Sequence, residues 1–180
     1  MRYLILHGWG GSDALHWQSH LASTLAKNYG FVSFFPFTNP DMPKLSIWKE
    51  ELLKHLEFFQ PDVVICHSLA NILWFHLCND NSLANLKKPK QLYLVAPPAL
   101  DCNIAELDTF FPLKAPKELY AKESLLITST NDPYLNIEDA NKLQKDLNIK
   151  MNMLENAGHI NADSGFGKWQ WMENLFIKES

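Results

Sequence analysis

Three side chains of this sequence have the types that nucleophilic catalysis needs: Ser68 in Cys66-His67-Ser68-Leu69-Ala70, Asp132 in Ser129-Thr130-Asn131-Asp132-Pro133, and His159 in Ala157-Gly158-His159. A serine hydroxyl is a poor nucleophile at neutral pH and needs an adjacent base to take its proton. Histidine suits, because its ordinary pKa lies near the working pH, and a carboxylate must hold its tautomer and stabilise the imidazolium. Each member also has a bland reading. Ser68 is placed to cap a helix, Asp132-Pro133 opens turns well, and His159 reads equally as a hydrogen-bonded loop residue. Asp101 is the rival acid, although it lies farther past its strand end than Asp132 does. His16, His20, His55 and His76 fall in helical stretches where surface or core roles are the default, and His67 reads as a packing residue.

The elements that must position these residues follow from the hydrophobic periods. Val63 to Cys66 is an unbroken apolar run, the pattern of a strand buried on both faces. Leu69, Ile72, Leu73 and Leu77 then recur with helical spacing. The period changes within three residues and Ser68 sits at the change, the strand-turn-helix context of a nucleophile elbow. The same alternation runs the length of the chain. Strands are expected at 3–6, 31–35, 91–95, 124–129 and 150–154. Helices are expected from a cap at Ser12 or Asp13 to about Asn28, over 46–59, over 137–147 with Asn136 as cap, and around 168–177. The stretch 97–122, with four prolines and an apolar cluster at Leu107, Phe110, Phe111 and Leu113, has room for a short lid or one small helix.

Strand-helix alternation implies one α/β domain over residues 1–180, with about six mostly parallel strands and helices on both faces. Ligands bind such sheets beyond the carboxyl ends of the strands. His7-Gly8-Trp9, Ser68, Asp132 and His159 all fall at such ends. That shared location weighs more than any single motif. An acyl-transfer reaction also needs donors for an oxyanion, and the expected ones are the backbone amides of Leu69 and of Trp9 in the glycine-rich loop His7-Gly8-Trp9-Gly10-Gly11. A simple glycine-rich turn is the competing reading there. GWGG is neither a dinucleotide fingerprint nor a P-loop.

Composition narrows the classes further. The 180 residues are 47% hydrophobic and 20% charged with a net charge of −4, and basic residues occur only in small groups such as Lys87, Lys88 and Lys90. No electrostatic footprint for nucleic acid or an anionic membrane is present. The apolar run at the N-terminus is too short for a secretory signal or a membrane span, so a soluble, cytoplasmic protein is expected. Cys66, Cys78 and Cys102 are odd in number and widely spaced, best read as reduced thiols. No cofactor is called for, and no His/Asp/Glu cluster has metal-ligand spacing.

With these residues placed, the chain resembles the small serine hydrolases of the YdeN and retinoblastoma-binding protein 9 type, within the α/β-hydrolases. The carrying motifs are His7-Gly8-Trp9-Gly10-Gly11-Ser12 with the later His16-Trp17, the elbow Cys66–Ala70, the segment Ser129–Tyr134 and the run Ala157–Trp169. The resemblance spans His7 to Trp169. It implies a compact α/β-hydrolase lacking the usual first two strands and almost any cap domain. It also implies the triad Ser68, Asp132 and His159, whose order along the chain is the α/β-hydrolase order. Family members generally carry glycine where this chain has Cys66 and Ala70. Ala70 adds only a methyl; Cys66 is larger and is expected to press on the turn.

The expected activity is that of a serine hydrolase, a carboxylic-ester hydrolase or close kin, cleaving a small ester, thioester or amide through an acyl-enzyme. Trp9, Trp17, Phe110, Phe111 and Trp169 lie near the strand ends and are candidates for an apolar substrate pocket, although core or lid packing is the default for each singly. The competing reading is a weak or inactive hydrolase fold that serves as a protein-interaction module, since fold alone does not fix activity. A cofactor-free perhydrolase or lyase is the third.

Overall fold

The computed structural model describes residues 1–177. Six parallel strands, β1 (Arg2–Leu6), β2 (Phe31–Phe35), β3 (Val63–His67), β4 (Gln91–Val95), β5 (Glu123–Ser129) and β6 (Lys150–Leu154), form one sheet in the order β2-β1-β3-β4-β5-β6. The order reverses at β1, as a doubly wound sheet requires. All six strands are parallel.

Alternation along each strand divides the core in two. Leu4, Leu6, Val64, Cys66, Leu92 and Leu94 point to one face. There they meet α2 (Leu45–Phe59), α3 (Leu69–Asn79) and α4 (Ile137–Leu147). Tyr3, Ile5, Val63, Ile65 and Val95 point to the other, against α1 (Trp17–Tyr29) and α5 (Gln170–Asn174). In α2 the buried stripe Trp48, Leu52, Leu56 repeats every four residues, one side of a helix. By contrast α3 is buried nearly all round, because it lies under the sheet centre and is covered in turn by the stretch 97–122. That stretch is fastened to it: the Phe110 carbonyl lies 2.8 Å from His76 Nε2, and Asn79 Nδ2 donates to the Lys114 carbonyl at 2.9 Å.

Two helix starts differ from the sequence expectation. Asp13 Oδ1 accepts the amides of Leu15 and His16, which turns the chain before a helix can begin. The helix α1 therefore starts at Trp17, capped by the His16 ring, whose Nδ1 accepts the Gln18 amide. At the other end α5 is one short turn, Gln170–Asn174, because Gly165 and Gly167 leave 165–169 in loop. The stretch 97–122 holds a single 3₁₀ turn at Ala105–Phe110 and no cap domain. Among the described residues, no helix is long and apolar enough to cross a membrane.

Candidate active site

The strand β3 delivers the chain to Ser68, which has φ 52° and ψ −123°. That region is costly for any residue with a Cβ and survives only where its surroundings fix it. Here they do. The Ser68 amide donates to the Val95 carbonyl at 3.0 Å, and Asn71 Nδ2 donates to the carbonyls of both Ser68 and Val95 at 2.8 Å. Ser68 stands at the N-terminus of α3 but makes no side-chain cap bond; its Oγ instead lies 2.9 Å from His159 Nε2. On the far side of the ring, His159 Nδ1 is 3.0 Å from both carboxylate oxygens of Asp132, and the Tyr134 amide donates to Asp132 Oδ1. The acceptor carboxylate puts the proton on Nδ1, so Nε2 presents its lone pair to the serine hydroxyl. The three candidates from strands β3, β5 and β6 thus form one hydrogen-bonded line. Asp101 is exposed and lines a separate surface groove with Leu135 and Lys142.

The segment before Asp132 stitches its loop to that of His159. Ser129 Oγ accepts the Ala157 amide, Thr130 Oγ1 the Asn156 amide and Asn131 Oδ1 the Gly158 amide, at 2.7–2.9 Å. His159 itself is held by its amide on Ser164 Oγ at 3.1 Å, and its carbonyl accepts His67 Nε2–H at 3.1 Å. Trp17 Nε1 donates to the next carbonyl, that of Ile160, which sits at φ 49°, an outlier for a β-branched residue. His67 and Trp17 are therefore positioning residues that the sequence reading missed. The signal for Trp17 was its pairing with His16; for His67 there was none, because its partner lies 92 residues away.

The glycine-rich loop after β1 closes the site. Gly8 packs so tightly on the elbow that a Cβ there would lie 2.6 Å from Ser68 Cβ and 3.1 Å from the Leu69 nitrogen. The Phe37 amide donates to His7 Nε2 at 3.0 Å, which puts the His7 proton on Nδ1, 2.8 Å from the Gly8 carbonyl. Gly11 N–H donates to the same carbonyl. In a trans peptide the N–H points opposite to the carbonyl, so these bonds aim the Trp9 amide away from its own loop. Neither the Trp9 nor the Leu69 amide has an acceptor among the described residues, and both residues line the same cavity as Ser68.

A family model described as Serine hydrolase matches residues 3–178. The chain belongs to the serine hydrolase family. The fold agrees with solved structures of similar proteins. The ydeN gene product of B. subtilis superposes with a TM-score of 0.83 at 19% identity, covering 97% of this chain and 95% of that one. A YdeN-like hydrolase from Pectobacterium atrosepticum gives 0.76 at 21% identity, covering 97% and 87%. The esterase domain of a Rhodothermus marinus protein gives 0.65 at 14% identity, covering 97% and 83%. A search of curated proteins finds no match.

In this serine hydrolase the elbow accommodates its departures from glycine. Cys66 sits in the fully buried core on the α2/α3 side, where burial pushes its thiol pKa well up and keeps it an uncharged small hydrophobe. Ala70 is likewise fully buried.

The aromatic pocket expectation needs correction. The cavity beside Ser68, about 280 Å³, is lined by Trp9 but by none of Trp17, Phe110, Phe111 and Trp169. Trp17 and Phe110 are core residues, Phe110 edge-on to Trp48. Phe111 packs on the same core, and Trp169 packs against Trp17 and Trp171. The apolar wall is made instead by Pro98, Cys102, Ile104, Leu107 and Tyr134. The chain that wraps from β4 supplies most of it.

Burial holds three histidines around the site neutral. It lowers the pKa of His7, lowers that of His67 well below the ordinary value with help from the neighbouring His159 and His16, and lowers that of His16 to about 4. The unfolded chain takes up these protons near pH 6.5 whereas the folded one resists, so stability is full above about pH 6.5 and is lost as pH falls towards 4. His16 alone accounts for about 3 kcal/mol of that loss by pH 4. Urea midpoints at pH 7 and pH 4.5 check it: a clear drop is expected, and equal midpoints would contradict the neutral, buried assignment.

Proposed function

We propose that this serine hydrolase cleaves a small ester, thioester or amide through an acyl-enzyme on Ser68. The observation that carries the reading is the line Ser68 Oγ–His159 Nε2–His159 Nδ1–Asp132, at 2.9 and 3.0 Å, on a backbone held at positive φ. His159 takes the hydroxyl proton as Oγ attacks the substrate carbonyl. The carbonyl oxygen becomes an oxyanion between the amides of Trp9 and Leu69, whose uncommitted N–H groups support that role. As the tetrahedral intermediate collapses, His159 passes the proton to the leaving alcohol, thiol or amine. Water then enters; His159 takes one of its protons while the hydroxyl adds to the acyl carbon, and the return of that proton to Oγ frees the acid. Asp132 holds Nδ1–H throughout and stabilises the imidazolium. The three free cysteines support a reducing, cytoplasmic setting. No observation favours the interaction-module reading, because Cys66 is absorbed by the core without touching the line.

The test is intact-mass analysis after treatment with a fluorophosphonate probe. One adduct per chain is expected in the wild type and none in Ser68→Ala. A folded wild type that takes up no probe would sink the reading, and an adduct that survives in Ser68→Ala would move it to another serine.

A further inference from the structure

The cavity beside Ser68 has two chemically different walls. Besides the apolar residues, Ser12, Asp13, His16, Asn161 and Asp163 line it. His16 is only 5% exposed, and its Nδ1 is used by the Gln18 amide, which leaves the ring proton on Nε2. That Nε2–H has no acceptor among the described residues and keeps some exposed surface, and His16 lines the cavity. Asn161 Oδ1 is fixed by the amide and hydroxyl of Ser164, so its Nδ2 amide is a second donor without an acceptor among the described residues. Among the described residues, the carboxylates of Asp13 and Asp163 make no ion pair and no lysine or arginine lines the cavity.

Resting on the hydrolase reading, we propose that this polar wall binds an uncharged, hydroxyl-bearing moiety, so that the substrate is an ester of a polyol or sugar with a small apolar acid. An anionic group would face two unpaired carboxylates with no counter-charge. An ammonium group would suit the carboxylates but leave the N–H groups of His16 and Asn161 without acceptors, at a desolvation cost. A hydroxyl both donates and accepts, and so satisfies both kinds of partner at once. Burial pushes the His16 pKa down to about 4, so its donor stays uncharged at neutral pH. The half-exposed rings of Trp9 and Tyr134 flank the cavity and offer apolar surface to a C–H face. A cavity of about 280 Å³ suits small groups in both halves of the ester.

The test compares kcat/KM over butyrate esters of matched reactivity: glycerol 1-butyrate, glucose 6-butyrate, 2,3-dimethoxypropyl butyrate, choline butyrate and a carboxylate-bearing ester. The dimethoxy ester keeps the electron withdrawal of glycerol and lacks its donors. A preference of about tenfold or more for a hydroxyl-bearing ester over the dimethoxy one is expected, the value of roughly one well-placed hydrogen bond pair. The anionic ester should be poorest. The better of the glycerol and glucose arms separates polyol from sugar. His16→Ser keeps an oxygen to cap α1 and removes the ring N–H; Asn161→Asp keeps the acceptor for Ser164 and removes the amide donor. Each should lower the hydroxyl-to-dimethoxy ratio about fivefold or more, whereas structural damage would lower both esters together. A ratio near one in the wild type, choline butyrate as the best substrate, or a ratio unmoved in both variants overturns the proposal. So does a wild type that labels with fluorophosphonate but turns over neither hydroxyl-bearing ester. If neither labelling nor turnover of any ester occurs, the hydrolase reading itself falls and takes this proposal with it.

Discussion

Asp132→Asn is expected to lower kcat on a simple ester by about 10⁴-fold while leaving the fold intact, the loss that follows when a triad histidine is held in the wrong tautomer. The reason lies in the direction of two hydrogen bonds. In the wild type, the carboxylate can only accept, so His159 must carry its proton on Nδ1 and keep Nε2 free as a base, 2.9 Å from Ser68 Oγ. An asparagine there is already committed by the Tyr134 amide, which donates to Oδ1 at 2.9 Å. Its NH₂ then faces Nδ1 and donates to it. The ring proton moves to Nε2, and the base becomes a donor to the very hydroxyl it should deprotonate. The substitution is nearly isosteric, so the urea midpoint should move little. Steady-state kinetics with a p-nitrophenyl ester, beside that midpoint, separates the two effects. A loss under tenfold in a stable variant would remove Asp132 from the reaction.

What the sequence made legible and what it hid divide along a physical line. Strand ends could be read because a parallel strand buried on both faces is a local apolar run, and each polar residue that follows one is local too. Local sequence alone therefore puts Ser68, Asp132 and His159 at the same edge of the sheet. The aromatic wall could not be read this way. Trp17 and Phe110 are near strand ends in sequence, but a large apolar side chain is drawn to whichever core is closest, and periodicity does not say which side of a loop faces a cavity. The start of α1 was misplaced for a related reason: Asp13 and Ser12 are both good caps, and the cap is in fact His16, a residue type with weak capping statistics that acts here through its ring nitrogen. His7, His16 and His67 were also invisible as positioning groups, since each owes its role to a tautomer fixed by a backbone group in the fold.

The close approach of the loop after β1 to the elbow leads to the second large effect. Gly8→Ala should lower kcat by about 10²-fold, the cost of displacing reacting groups by a fraction of an ångström to an ångström, and should destabilise the chain by about 1–3 kcal/mol through overpacking. The added Cβ would sit 2.6 Å from Ser68 Cβ and 3.1 Å from both the His67 carbonyl oxygen and the Leu69 nitrogen. Two of those three neighbours are backbone, and the third belongs to a residue whose backbone is pinned by Val95 and Asn71. The glycine side is no freer, because the Gly8 carbonyl is held by Gly11 and faces the His7 ring. Something in the ring of Gly8, Trp9, Ser68 and Leu69 must therefore yield, and any such shift pulls the two amides apart or moves Ser68 Oγ off His159. A stable Gly8→Ala variant within threefold of wild type would mean that neither amide lies where the proposed oxyanion needs it.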